Sequence, residues 1–159
     1  MSRQPDRRQA QLPPRLAARP VDPRRGLPIP YVNEHDDGSV NFAVINGGRV
    51  LDCVRRRLCG LCGQPHEHRI AFIGGPGGFQ HRMYTDPPGH VDCMRAVLAL
   101  DLCAYLAVER HRRRGLNEAT AAPGFTDMEK AQPVILAVTW AYDVGLIGDP
   151  PALLFLPAQ

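Results

Sequence analysis

Apolar and polar positions recur with different periods along this 159-residue chain, and the changes of period mark its elements. Leu27-Pro-Ile-Pro-Tyr-Val32 reads as an extended segment, Asp36-Asp-Gly-Ser39 as a turn and Val40-Asn-Phe-Ala-Val-Ile45 as a strand. Past a turn at Asn46-Gly-Gly48, Val50, Leu51, Val54 and Leu58 fall on one helical stripe, so a short helix leads to Cys59. Arg69-Ile-Ala-Phe-Ile73 and Phe79-Gln-His-Arg-Met-Tyr84 flank the turn-forming Gly74-Gly-Pro-Gly-Gly78, a predicted β-hairpin. Thr85 or Asp86 then caps a helix with Pro87 and Pro88 in its first turn, where missing amide hydrogens cost nothing. That helix should run to about Arg114 and stop at Gly115; Val91, Met94, Val97, Leu98, Leu102, Tyr105 and Leu106 cover most of its circumference, as in a buried central element. Residues 116–133 are mixed, with loop-like Thr120-Ala-Ala-Pro-Gly-Phe-Thr126 and a single helical turn around Asp127. Pro133 to Tyr142 and Ala152-Leu-Leu-Phe-Leu156 read as strands joined by a turn from Gly145 to Pro151, a C-terminal hairpin. The expected fold class is α+β.

Composition narrows this to one domain: 44% of residues are hydrophobic, 6% aromatic and 22% charged. No run of 18 apolar residues exists and the N-terminus begins MSRQPDRRQA, so neither a membrane span nor a secretory signal is expected, and the protein is assigned to the cytoplasm. Residues 1–26 carry seven Arg with only scattered Leu and Val, too little apolar surface to offset the entropy of ordering. They read as a disordered Arg/Pro-rich arm before a domain over 27–159. Such an arm is either a solubilising tail or an electrostatic tether for nucleic acid or an acidic partner. The net charge of +3 adds little, since 18 of the 19 basic residues are Arg, a skew that points to a GC-rich genome.

Five cysteines, an odd number without an export signal, favour a metal site over a disulfide framework. Cys59-Gly-Leu-Cys62 and, after 27 intervening residues, His90-Val-Asp-Cys93 supply four zinc-type ligands in two close pairs. Gly60 and Gly63 let the first pair wrap tightly round one ion with backbone amides aimed at the sulfurs. His90 and Cys93 are three apart near a helix start, so they share a face, and the positive helix end favours a thiolate. Four protein ligands leave no open coordination position, which makes one Zn2+ structural rather than catalytic. Cys53 and Cys103 read as buried small hydrophobes. His66 and His68 lie close enough in sequence to replace His90 or to act as an acid/base, and His81 reads as a surface residue.

Knuckle, hairpin and helix in this order resemble the treble-clef class of zinc finger over about residues 58–110. HNH-type nucleases elaborate the same arrangement, but they need a second, open metal site and a further helix His; His68, His81 and Asp92 do not form that set, so no enzyme activity is expected. More widely, Arg25-Gly-Leu-Pro-Ile-Pro30, Leu58-Cys-Gly-Leu-Cys-Gly63, Ile70-Ala-Phe-Ile-Gly-Gly-Pro76 and Asp86-Pro-Pro-Gly-His-Val-Asp-Cys93 resemble small proteins of actinobacteria and their bacteriophages. The resemblance implies a phage-type accessory or regulatory protein that engages a protein partner, including one bound to DNA. Direct binding of double-stranded DNA is the alternative, through the arm and the clusters Arg55, Arg56, Arg57 and Arg110, Arg112, Arg113, Arg114. Trp140 and Tyr142, two apart on one predicted strand, would share a face, in the core or on a partner-docking surface.

Overall fold

A computed structural model of the chain describes residues 12–24, 26–40, 44–99 and 134–159. Two proline-led starts shape the N-terminal part. Pro14 at the first helical position opens α1 (Pro14–Ala17), and β1 (Val21–Asp22) pairs antiparallel with β2 (Leu27–Pro28). Disorder expected over 1–26 therefore does not extend to residues 12–24: Leu16 is 1% exposed, and four residues further back Leu12 packs against the same core. The apolar pair Leu12/Leu16 at helical spacing overcomes the high local charge. A 3-10 turn (Tyr31–Asn33) follows, and the strand expected at 40–45 falls partly outside the described residues, Val40 making only an isolated bridge to Glu34.

Asn46 accepts hydrogen bonds from the amides of Gly48 and Arg49 through its side chain and so starts α2 (Gly47–Arg56), the short helix predicted to lead to Cys59. It buries Cys53, with Val50 and Val54 partly covered, whereas Leu51 is exposed. The strand β3 (Ile70–Gly74) forms, but the predicted hairpin with 79–84 does not. Pro76, at the start of a helical turn capped by Gly75, drives the chain into α3 (Pro76–His81) instead. Tyr84 then returns beneath Gly74, where an added Cβ would lie 2.8 Å from the Tyr84 ring, and bridges Phe155 rather than β3.

The partners of β3 are β4 (Gly89–His90) on one side and β5 (Ile135–Thr139) on the other, both antiparallel, in the order β4-β3-β5. The central helix starts later than expected: α4 (Val91–Ala99) begins at Val91, since a residue before proline avoids helical dihedrals and Asp86 and Pro87 both precede one. Its predicted continuation to Arg114 lies outside the described residues, as do Cys103 and the cluster Arg110 to Arg114.

The C-terminal hairpin exists with different strands. A bend at Trp140-Ala141, where the Thr139 hydroxyl donates to the carbonyl oxygens of Ala141 and Ala158, splits the predicted strand. β5 goes to the three-stranded sheet, and β6 (Tyr142–Ile147) pairs with β7 (Ala152–Pro157). Trp140 and Tyr142 consequently part company: Trp140 is 66% exposed and Tyr142 is buried. Because side chains alternate along a strand, β3 faces two cores. Ala71 lies among Leu16, Cys59, Leu61, Cys62, Cys93, Met94 and Val97, while Ile70 and Phe72 pack with Tyr84, Tyr142 and Phe155. The molecule is a mixed helix-and-strand α+β fold, and no described helix is long and apolar enough to cross a membrane.

Candidate metal centre

The first ligand pair sits on a tight loop after α2. Arg57 in left-handed conformation (φ 54°) ends the helix, Leu58 bridges Pro65, and the Gly63 amide donates to the Cys59 carbonyl at 2.9 Å. Gly63 has φ +74° and lies under Tyr31, where a Cβ would come 2.7 Å from the ring, so only glycine suits the turn. Backbone amides point at sulfur as a knuckle requires: Cys62 N to Cys59 Sγ at 3.5 Å and Gln64 N to Cys62 Sγ at 3.5 Å.

The second pair arrives on β4 and α4. Pairing of β3 with Gly89–His90 places the His90 amide 3.4 Å from Cys59 Sγ, and Cys93 follows in the first turn of α4. Gly89 is the close approach: a Cβ there would lie 2.9 Å from both Cys59 Sγ and Met94 Cε. His90 thus leads into the helix from a strand and is not part of the helix.

Cys59, Cys62, His90 and Cys93 are all buried, with one ligand atom from each lying within 4.8 Å of the others. His90 Nδ1 stands 3.3 Å from Cys62 Sγ and 3.9 Å from Cys93 Sγ. A tetrahedral zinc with Zn–S about 2.3 Å and Zn–N about 2.0 Å sets such separations at about 3.5 Å. Its other ring nitrogen, Nε2, lies 2.8 Å from the Pro65 carbonyl oxygen, an acceptor that demands an N–H there. The tautomer left has its lone pair on Nδ1, facing the sulfurs, which is the orientation that an outer hydrogen bond gives a metal-binding imidazole. This donor set suits one ion.

Protons are unevenly held among the four. Burial works against a thiolate at Cys59, but hydrogen bonds from Cys62, Cys93 and His90 hold its pKa well below the usual thiol range. Burial also opposes a charge on His90, yet hydrogen bonds to Cys59 and Cys62 push it up to about 10. At Cys93, hydrogen bonds to Cys59 and Cys62, then burial, keep the proton on and raise the pKa. An ion entering the cluster takes the place of these protons.

The histidines considered as substitutes stay outside the group. His66 lies with its ring centroid 5.9 Å from that of His90 and 6.2 Å from that of Tyr142; burial pushes it down to about 4, and neither ring nitrogen has a partner among the described residues. His68 is exposed beside Trp140, and His81 ends α3 on the surface. Cys53 is fully buried, its thiol pushed up to about 12 by burial and then by the neighbouring Cys59. Arg55 and Arg56 are exposed, but Arg57 lies 4.5 Å over the Tyr142 ring and donates to the Tyr142 carbonyl, so it fastens α2 to β6.

One participant escaped the sequence reading. Arg15 of α1 donates to Glu67 Oε1 at 2.8 Å and to Asp92 Oδ1 at 2.6 Å, spanning both halves of the site. The signal for it was Pro13-Pro14 at a helix start with Leu12 and Leu16 one turn apart, hidden among the arginines. Comparison with protein-family models, curated proteins and solved structures finds no match for this chain.

Proposed function

We propose that the protein is a structural-zinc module: Cys59, Cys62, His90 and Cys93 hold one Zn2+, and the domain it fastens binds a macromolecular partner instead of catalysing a reaction. The observation that carries this is the convergence of three buried sulfurs and the Nδ1 of His90, whose other nitrogen is committed to the Pro65 carbonyl. Three thiolates and an imidazole favour zinc over the oxygen-seeking cations, and a filled tetrahedron leaves no position for substrate or water. We read the knuckle, β4 and the first turn of α4 as a treble-clef-like site with α3 inserted where its hairpin would stand.

The preferred partner is a protein, met in the cytoplasm. Support comes from exposed apolar groups: Trp140 is 66% exposed beside Arg69 and His68, and Leu146 and Ile147 are 71% and 56% exposed near the β6–β7 turn. Its place as a phage-type accessory protein rests on the sequence motifs alone. The second reading, double-stranded DNA, draws on exposed Arg55 and Arg56 of α2. Elemental analysis of the purified protein should give one zinc per chain, and none would sink the metal reading. A tagged pull-down, run with and without nuclease, then separates the partners: a catch that survives nuclease means protein. One that is lost, together with salt-sensitive retardation of duplex DNA, means DNA. Metal-dependent strand cleavage would overturn the non-enzymatic reading.

A further inference from the structure

The N-terminal segment rests on the metal centre itself. Leu16 belongs to the same buried cluster as Cys59, Cys62 and Cys93, and the neighbouring Arg15 pairs with Glu67 and Asp92. Its two carboxylate partners come from different halves of the site: Glu67 follows the knuckle by five residues, and Asp92 lies between His90 and Cys93. Asp92 Oδ1 also accepts from the Cys93 amide at 2.8 Å, so the Arg15 contact sits on the first turn of α4. The Nε atom of Arg15 is buried without a hydrogen-bond partner among the described residues.

Two physical consequences follow. Glu67 and Asp92 are far apart in the chain, and one guanidinium can hold both only while the knuckle and the start of α4 lie together; pairing of β3 with β4 brings them near, and an ion held by Cys59, Cys62, His90 and Cys93 would fasten them. In addition, an ion of charge +2 bound by three thiolates and a neutral imidazole leaves a centre of net charge −1, buried and therefore weakly screened. Arg15 is the cation placed to neutralise it.

We propose that the segment around Arg15 and Leu16 is a metal-linked clasp, whose docking and the filling of the Cys59/Cys62/His90/Cys93 site stabilise each other. Loss of the ion releases residues 12–24 and with them the Arg-rich sequence they carry; a docked clasp slows loss of the ion. The coupling is reciprocal by thermodynamic necessity, so it is measurable from the metal side. This inference rests on the zinc reading above.

The test is zinc affinity of the full chain, measured by competition with a chromogenic chelator, for the wild type, Arg15→Gln and Leu16→Ala. Loss of an outer-shell partner costs about 10- to 100-fold in metal affinity. A drop in that range is expected for Arg15→Gln, together with faster tryptic cleavage after Arg24 than after Arg95 in the zinc-loaded protein. Leu16→Ala removes the apolar anchor and keeps the charge, and it should free the same cleavage site after Arg24. Arg15→Lys, which keeps one charge but not the fork, should fall between wild type and Arg15→Gln and is the variant to read if Arg15→Gln does not fold. Unchanged zinc affinity in Arg15→Gln, or in Arg15→Lys where that is the variant read, overturns the clasp while the zinc reading stands. A wild type that binds no zinc overturns both.

Discussion

The four candidate ligands are surrounded by close approaches of single residues, and at Gly89 the approach is to a candidate ligand sulfur itself. An added Cβ would meet Cys59 Sγ and Met94 Cε at 2.9 Å, closer than a Cβ contact allows, and the Cys59 sulfur is itself buried. Gly89→Ala should therefore destabilise the zinc-loaded domain by about 1–3 kcal/mol, the range for overpacking, and lower zinc affinity; thermal melts at fixed free zinc check it. Cys53 behaves in the opposite way from its neighbours. It is fully buried and its thiol is pushed up to about 12, so it should resist iodoacetamide at pH 8 in the native protein and react only after unfolding, as peptide mass mapping would show. Both the ligands and this inert thiol were legible in the sequence, because ligand spacing and the burial of an apolar stripe are local properties. Arg15 was not, since its role depends on Glu67 and Asp92, which lie 52 and 77 residues away.

At the scale of elements, legibility followed the range of the interaction. The helix α2 was readable from its stripe, and the turn read at Asn46-Gly-Gly48 holds its cap. The strands β3 and β7 were also readable as strands, but not their partners, because pairing is decided by which surfaces need cover and not by the period of one segment. Turn chemistry misled at Gly74 to Gly78, where Pro76 starts a helix, and at Pro87-Pro88, which stay extended. A second set of contacts, unnoticed in the charge pattern, ties the N-terminal segment to α2. Glu34 receives hydrogen bonds from Arg19 and Arg49, and Arg49 also donates to the Tyr31 carbonyl with its guanidinium 4.6 Å from the Tyr31 ring centroid. Partial burial opposes ionisation of Glu34, yet the two arginines hold its carboxyl below the ordinary value of 4.5. A depressed carboxylate stabilises the fold above its ordinary pKa, and this contribution is lost as pH falls through the lowered value. Glu34→Gln should accordingly be less stable than wild type at neutral pH and lose less on acidification below 4.5. Denaturant midpoints of the two proteins compared from neutral to acid pH check it, and parallel curves would remove Glu34 from the account.

For the molecule as a whole, the unusual feature is that the sulfurs of Cys59, Cys62 and Cys93, the proposed metal ligands, occupy one core where most domains place large side chains. With only 6% aromatic residues, the aromatic contacts concentrate on the opposite side of β3, where Phe72 stacks on Tyr84 at 4.6 Å and meets Tyr142 edge-on. Since β3 contributes Ala71 to one core and Phe72 to the other, the two cannot lose their packing independently. Removing zinc with a strong chelator should thus abolish the near-ultraviolet dichroism of the tyrosines in step with metal release, although none of them is a ligand. The melting temperature should rise with free zinc as a ligand that binds only the folded state demands, by about 1.4 kcal/mol of stability for each tenfold excess over the dissociation constant. An aromatic signal that persists after stoichiometric zinc loss would mean that the Phe72 core stands without the metal. Coincident loss, reversed when zinc is restored, would mean that the ion fastens both faces of one strand.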